Sequence, residues 1–316
     1  KATAMKEIRS LAHPNLVAVW PGMGQVAINA GIYLISKLKM EFSLELDESK
    51  LFDVDHIEIK DGRVQTIRRP RNLFFVWEDP LRKNDLILFL GEGQPSHGKY
   101  NFCQKIINLA NESQVEKVFT FAAMATQMPP HSKSRTFGVG TGTAELSNLK
   151  NLDVEILMEG NISGMNGVLL GVAAELGKNG YCLLGEIPHI FGALPFPKAT
   201  LAILETFTSM LDINLDLAEL SEQVAEHEKE IEMALEQIHV NQLSEEKESA
   251  PLHQADESFE NNAANAEEIQ KIEELFQAAK SDRSKSFELK KELDRSGLFK
   301  EYEDRFLDLF KKNNQP

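Results

Sequence analysis

Cysteine is scarce in this sequence, with only Cys103 and Cys182 among 316 residues. Two cysteines cannot build a disulfide-rich scaffold or a zinc site that needs four thiolates. The eight histidines stand in no H-E-x-x-H motif, and neither C-x-x-C nor the nucleophile motif G-x-S-x-G occurs. We therefore expect no metal ion and no cofactor, and we assign no catalytic residue.

Positive charge is also in short supply, because 34 lysines and arginines face 49 aspartates and glutamates, which gives a net charge of −15. This balance excludes a broad basic footprint, so we expect no nucleic-acid partner. Residues 14–36 are uncharged, but turn-forming and polar residues interrupt them, which favours a strand, a turn and a helix over a membrane span. The first ten residues do not resemble a signal peptide. We expect a soluble, cytoplasmic protein with no membrane partner.

Short apolar runs alternate with helical patterns along residues 1–240. Continuous apolar runs predict buried strands at residues 16–20, 86–90, 118–122 and 181–184. Apolar residues at helical spacing predict helices over residues 26–39, 100–111, 164–178 and 198–211. This alternation predicts an α/β fold of three layers, α/β/α, with a mixed, largely parallel sheet. The Asp61-Gly62 turn predicts a hairpin, and we expect that hairpin to make the sheet mixed.

The pattern changes after about residue 215. Apolar residues at alternating spacings of three and four predict the seam of a coiled coil or of a helix docked on a domain, and we expect this seam to contact another copy or a partner. The seam residues are Leu220, Val224, His227, Ile231 and Ile238. The composition of residues 241–264 predicts a polar linker, and the returning apolar residues predict a small helical appendage over residues 265–316. The appendage is too small to bury a sufficient hydrophobic core of its own, so it either packs back on residues 1–240 or binds a partner.

Glycines, carboxylates and histidines follow the predicted strands. They are Gly22 and Gly24 after the first strand, Glu92 and His97 after residues 86–90, and Glu186, Pro188 and His189 after residues 181–184. If the latter two strands are parallel neighbours, their carboxylates and imidazoles meet at one sheet edge, where acid–base chemistry is possible. Residues 138–143 are rich in glycine and follow a basic loop with Arg135, so they are a second candidate, a loop that holds phosphate.

Four segments resemble, in this order, the proteasome assembly chaperone 2 family. They are LVAVWPGMGQVA (16–27), LILFLGEGQP (86–95), SGMNGVLLGVAAELG (163–177) and GEIPHIFGALPFPKA (185–199). In the third, Ser163 and Gly164 resemble the family's helix opening, and in the fourth, Glu186, Pro188 and His189 match its Glu-x-Pro-His. The resemblance covers residues 12–240. It implies a phosphorylase- or hydrolase-like α/β/α fold, homo-oligomerisation and an ATP-independent role in assembly.

Two functions follow from these observations. The first is a non-catalytic, oligomeric assembly chaperone or adaptor, whose partners are itself, with a trimer as one option, and the proteasome or another protein complex. The second is a nucleotide- or nucleoside-binding enzyme, or an ATP-dependent ligase-like protein, that uses a cleft around Gly22, Glu92 and Glu186. The second requires Glu92, Glu186 and the histidines His97 and His189 to converge around a pocket.

Overall fold

The structure, a computed structural model, describes residues 11–54, 57, 59–60, 62–152, 154–245 and 266–311. In chain order the strands are β1 Asn15–Val19, β2 Glu41–Glu45, β3 Ile59–Lys60, β4 Arg63–Val64, β5 Asn72–Trp77, β6 Leu86–Gly91, β7 Lys117–Thr126, β8 Thr136–Gly140, β9 Glu155–Ile156 and β10 Asn179–Pro188. Eight of them form one sheet in the order β2-β5-β6-β1-β7-β10-β8-β9.

Helices cover both faces of this sheet. They are α1 Val26–Lys37, α2 Lys99–Asn111, α3 Thr143–Lys150, α4 Gly164–Glu175, α5 Pro197–Leu211, α6 Ala218–Glu245, α7 Ala266–Ser281, α8 Ser286–Arg295 and α9 Phe299–Asp308. Helices α1 and α5 pack on one face, and α2 and α4 pack on the other. This arrangement confirms the predicted three-layer α/β/α architecture.

The central strand β1 shows why its sequence is apolar without alternation. It pairs in parallel with β6 on one side and β7 on the other. Because successive side chains point to opposite faces, Val17 and Val19 join the core under α1 and α5, whereas Leu16 and Ala18 join the core under α2 and α4. Both faces are therefore buried, and every residue of the strand must be compatible with a dry interior.

The antiparallel pairs of the sheet come from strands other than the predicted hairpin. They are β2 with β5, β5 with β6, and β8 with β10. The turn at Gly62 does form a hairpin, but among the described residues its strands β3 and β4 pair with each other alone, in a small sheet separate from the main one. The expectation that this hairpin makes the main sheet mixed is therefore wrong, because its strands are two residues long and lie outside that sheet.

Strand β8, which ends at Gly140, occupies the first half of the segment 138–143 that we interpreted as a phosphate-holding loop. Gly138 and Gly140 lie inside it and pair with Leu183 and Tyr181 of β10. A Cβ atom at Gly138 would come within 2.7 Å of Val154, and one at Gly140 within 2.5 Å of Glu145. Gly138 and Gly140 therefore allow close approach of neighbouring segments, and this half of the segment is a strand of the main sheet and not a loop.

The carboxyl-terminal helices α7 to α9 pack on residues of the first 240. The ring of Phe287 meets the edge of the Tyr33 ring with centroids 4.5 Å apart. The Ser286 hydroxyl donates to the Ser36 hydroxyl at 2.9 Å. Strands β2, β5 and β6 are antiparallel neighbours in the sheet, and among the described residues no crossover helix connects them and covers β5 on the α1 side. The ring of Phe310, just after α9, packs there at 6.0 Å from the Phe75 ring. Of the two alternatives for the appendage, the structure shows the one that packs back on its own chain.

A buried ion pair lies in the same interface between α8 and α1. The ammonium group of Lys290 binds the carboxylate of Asp294 and donates to Asn29 Oδ1 at 3.2 Å. It also lies 3.8 Å from the centroid of the Phe299 ring. Burial lowers the pKa of Lys290 and raises the pKa of Asp294, since both charged forms have lost water. The pair therefore depends on its fixed partners and orients α8 on α1.

We expect Phe287→Ala to lower the free energy of unfolding by about 3–5 kcal/mol, because it removes a buried ring and leaves a cavity. The matched control is Leu81→Ala, at a side chain that is 66% exposed, for which a change of about 0.5 kcal/mol or less is expected. Urea unfolding followed by circular dichroism measures both values. A Phe287→Ala protein as stable as the control would contradict the integration of α8 into the common core.

Candidate functional site

The carboxyl ends of the parallel strands β6, β1, β7 and β10 lie at the same edge of the sheet. In open α/β sheets this edge is where ligands commonly bind. The predicted residues Gly22, Glu92, Glu186 and His189 lie in or just after these strands, so the structure brings them to this edge. What each side chain contacts there decides which chemistry the edge can perform.

Glu186 is buried and fully paired within the chain. Its carboxylate accepts hydrogen bonds from Arg135 Nε at 2.8 Å and Nη2 at 2.7 Å, and from the Thr126 hydroxyl at 2.7 Å. These bonds, above all those from Arg135, hold the pKa of Glu186 below its usual range. Arg135 also pairs with Glu155 at 2.6 Å and lies over the Phe137 ring. A carboxylate held this way is a structural anchor and a weak base.

Glu92 is also buried, and two arginines reach it from the segment before β5. Arg68 Nη2 lies 3.0 Å from its carboxylate, and Arg71 donates both its backbone N–H, at 2.8 Å, and Nε, at 2.9 Å. Burial nevertheless raises the pKa of Glu92, because desolvation of its charged form outweighs the arginines. Both guanidinium groups also donate hydrogen bonds to carboxylates of α9. Arg68 contacts Glu303 and Asp304, and Arg71 contacts Asp308 at 2.9 Å.

The two carboxylates do not meet. Strands β6 and β10 are separated by β1 and β7, and at about 4.8 Å per strand the two lie roughly 14 Å apart. His97 and His189 are exposed, and among the described residues no hydrogen bond joins either to Glu92 or Glu186. The expected convergence is therefore wrong, because its premise of neighbouring strands does not hold. The cleft that the enzyme hypothesis requires is not formed by these groups.

Gly22 and Gly24 shape a turn that closes against the loop after β10. Gly24 has a φ of +61°, its N–H donates to the Gly192 carbonyl at 2.9 Å, and its carbonyl accepts from the Phe196 N–H at 3.0 Å. The Gly22 carbonyl accepts from the Gln25 N–H at 3.0 Å. The backbone groups of this turn are thus used within the chain. Pro188 ends β10 opposite Thr126 of β7 and directs the chain into that loop.

The start of α4, with Ser163 and Gly164, is held by Gln94. The Gln94 amide donates to the Pro21 carbonyl at 3.1 Å, and its oxygen accepts from the Met165 N–H at 3.3 Å. Gly164 has a φ of +75°, and a Cβ there would lie 2.9 Å from the Gln94 oxygen. Gln94 therefore fills the place at the helix N-terminus where an anion would otherwise bind. The Ser163 side chain makes no capping hydrogen bond.

Sequence reasoning missed the partners of these groups. Arg135 stands in a basic loop that suggested an anion site, and the anion it binds is Glu186 of its own chain. Lys198 stands in the Pro-Phe-Pro-Lys-Ala segment, where its buried ammonium donates to the carbonyls of Pro130 and Ser132 and pairs with Glu228 at 2.6 Å. The charges were visible in the sequence, but their partners lie far away along the chain.

The predicted seam is largely used inside the chain. Leu220 and Ile231 are buried in the main core, and Val224 is half-buried. The His227 ring packs edge-on against Phe191 and Phe196, and burial lowers its pKa. As far as Ile231 the seam covers this chain's own core, so the structure shows the alternative of a helix docked on a domain. The expectation that these residues contact another copy or a partner is wrong there. The side chain of Ile238 lies outside the described residues.

Within the described ranges of the chain, no group of three or more His, Cys, Asp or Glu side chains has the arrangement of a metal site. Within the same ranges, no helix combines the length and the apolar character that crossing a bilayer requires. Burial raises the pKa of both cysteine thiols, Cys103 and Cys182, to about 12, so neither is a ready nucleophile at neutral pH.

These features define a protein of the three-layer α/β/α class in which the buried carboxylates at the carboxyl edge of the sheet are paired with arginines of the same chain. The model of the PAC2 family matches residues 16–235, and the chain belongs to this family. The resemblance seen in the sequence segments is thereby confirmed.

Individual relatives agree with this assignment. An uncharacterised protein of Methanocaldococcus jannaschii is 27% identical over 237 residues, which cover 72% of this chain and 85% of that protein. The solved structure of Pyrococcus furiosus PbaB, an archaeal proteasome activator, is similar with a TM-score of 0.60 and 26% identity, over 71% of this chain and 94% of PbaB. P. furiosus PbaA, an archaeal homologue of proteasome-assembly chaperone, is similar with a TM-score of 0.57 and 26% identity, over 75% and 93%.

We expect Glu186→Gln to lower the free energy of unfolding at pH 7 by about 1–3 kcal/mol, because Arg135 loses its buried charged acceptor. Since the pKa of Glu186 is lowered by folding, its contribution is complete above the unfolded value of about 4.3 and is lost as the pH falls through the folded value. Urea unfolding between pH 7 and pH 3 should show the two proteins converging at acidic pH.

The matched control for this experiment is Glu155→Gln, which removes the exposed partner of the same arginine. A change within about 1 kcal/mol is expected there, because water replaces an exposed partner easily. Equal effects of the two substitutions at pH 7, or a Glu186→Gln effect that does not depend on pH, would contradict the role assigned to the buried pair.

Proposed function

We propose that this protein is a non-catalytic assembly chaperone or adaptor of the proteasome, or of a similar complex, that acts through protein–protein contacts. The observation that carries the proposal is the similarity to PbaB and PbaA over more than nine-tenths of each of those chains. PbaB is described as a proteasome activator and PbaA as a homologue of proteasome-assembly chaperone. The proposal includes a cytoplasmic location, and we propose residues 1–240 as the domain that carries the activity.

The chemistry of the sheet edge supports this proposal. The carboxylates Glu92 and Glu186 are each neutralised by arginines of the same chain, and Gln94 fills the start of α4. Because these side chains already bind partners within the chain, they are less free to contact a substrate, so this edge is better suited to present a surface than to transform a substrate. A surface of fixed shape suits recognition of another protein, because little order must be gained on binding.

The proposal also includes self-association into a homo-oligomer, with a trimer as the first option. Light scattering of the purified chain during gel filtration measures this directly. We expect a mass that is a multiple of the 35.5 kDa chain and that does not change on tenfold dilution. A particle of 35.5 kDa at all concentrations would contradict the oligomeric part of the proposal.

Capture from cells tests the partner. The tagged full-length chain is purified from its source cells after mild cross-linking, and the co-purifying proteins are quantified by mass spectrometry against the tag alone. We expect proteasome subunits in near-stoichiometric amounts, and a reciprocal purification through a tagged proteasome subunit should return this chain. Recovery of this chain without proteasome subunits from the first purification, and of proteasome subunits without this chain from the second, would overturn the proposal. The Glu186→Gln variant, captured in parallel, should behave as the wild type, because its effect is on stability.

A further inference from the structure

The carboxyl edge of the sheet carries an exposed apolar surface that none of the interactions above uses. Met23 of the turn after β1 and Ile190 and Leu194 of the loop after β10 are 45%, 71% and 56% exposed. We call these three residues the edge patch. The two loops are joined by the Gly24–Gly192 hydrogen bond, and the site of a Cβ on Gly192 lies 3.5 Å from Met23. The patch is therefore built on a fixed backbone.

Helix α6 lies beside this patch and is strongly acidic. His227 of α6 packs on Phe191, the residue after Ile190, and Lys198 binds Glu228 of the same helix. Between Ala218 and Met233 the helix carries one lysine, Lys229, and six glutamates, at positions 219, 222, 226, 228, 230 and 232. Among the described residues, Glu222, Glu230 and Glu232 are exposed and take part in no ion pair.

An apolar patch commonly binds either a second copy of the same chain or a different protein, and the charge distribution around this patch favours the latter. A second copy placed on the patch by a two-fold axis would bring two acidic α6 helices together in a chain whose net charge is already −15. Like charges brought together at an interface oppose association, whereas a positive rim on the partner would favour it. The residues from Ile190 to Phe196 carry no charge of their own, so the apolar contact and the charged flank are separate features of one surface.

We propose that the edge patch and the acidic flank of α6 together form the docking surface for a heterologous protein that presents an apolar segment bordered by lysine or arginine. The inference rests on the proposed function, because it specifies the partner-binding surface of an adaptor. Burial of Ile190 and Leu194 supplies the contact, and the glutamates of α6 choose the partner and its orientation. This surface differs from the interface of α7 to α9, which the chain covers itself.

Two labelled amphipathic peptides test the recognition without any cellular partner. One contains leucine and lysine, and the other contains leucine and glutamate with the same apolar face. We expect the lysine peptide to bind the full-length chain in a fluorescence anisotropy titration, more weakly as salt is raised, and the glutamate peptide to bind at least about tenfold more weakly. Equal binding of the two peptides would overturn the charge assignment.

Variants locate the binding on the surface. Ile190→Asp and Leu194→Asp should each weaken binding of the lysine peptide about tenfold, as should Glu230→Lys combined with Glu232→Lys. The matched controls are Leu81→Asp, an equally exposed leucine before β6, and Glu274→Lys on α7, which should bind as the wild type. Equal loss in the controls, or no loss in the patch variants, would overturn the proposed surface.

Light scattering of the same variants completes the test. The oligomeric mass of Ile190→Asp and Leu194→Asp should equal that of the wild type, and a fall to the single-chain mass would overturn the proposal by assigning the patch to a second copy. The peptide titration does not involve the proteasome, so the two proposals fail separately. If the wild-type chain binds the lysine peptide but captures no proteasome subunits, the proposed function is contradicted and the edge patch is not. Intact capture by a Leu194→Asp protein contradicts the edge patch.

Discussion

One face of the antiparallel strands β2 and β5 must be covered, and the rest of the structure depends on how the chain meets this requirement. Parallel strands bring their own crossover helices, but among the described residues no α-helix connects β2 to β5 or β5 to β6. Helices from the far end of the chain supply the cover, with Phe310 on Phe75 and Phe287 on Tyr33. The appended residues are thereby part of the main core, although the family match ends at residue 235.

The same constraint shapes the charged groups at the sheet edge. Arg68 and Arg71 connect the buried Glu92 to the acidic residues of α9, so the edge and the appended helices are stabilised by one cluster of ion pairs. On the far side of β1 and β7, Arg135 binds the carboxylate of Glu186 in β10. Once these carboxylates are paired, what the edge offers to other molecules is its shape, its exposed apolar loops and the acidity of α6.

Local sequence patterns predicted the strands that are covered on both faces and the helices that bury one apolar stripe. Continuous apolar runs located β1, β6 and β10 because each is covered on both faces, and apolar residues at helical spacing located α1 and α5. Strand β8 was missed because its glycines, which strands usually avoid, are required there by the close approach of Val154 and Glu145. The glycine and carboxylate positions of the candidate site were also recognised, but their partners were not.

By itself the sequence determined the strands that are buried on both faces, the helices with an apolar stripe that cover them, and the family that the chain resembles. Those properties depend on short stretches of the chain, because continuous apolar runs indicate buried strands and apolar residues three and four positions apart indicate helices. Only the tertiary structure decided that β1 and β7 separate the strands of Glu92 and Glu186, and that Arg135, Arg68 and Arg71 neutralise them. Strand order and long-range ion pairs join residues that are tens of positions apart, and no local pattern carries that information.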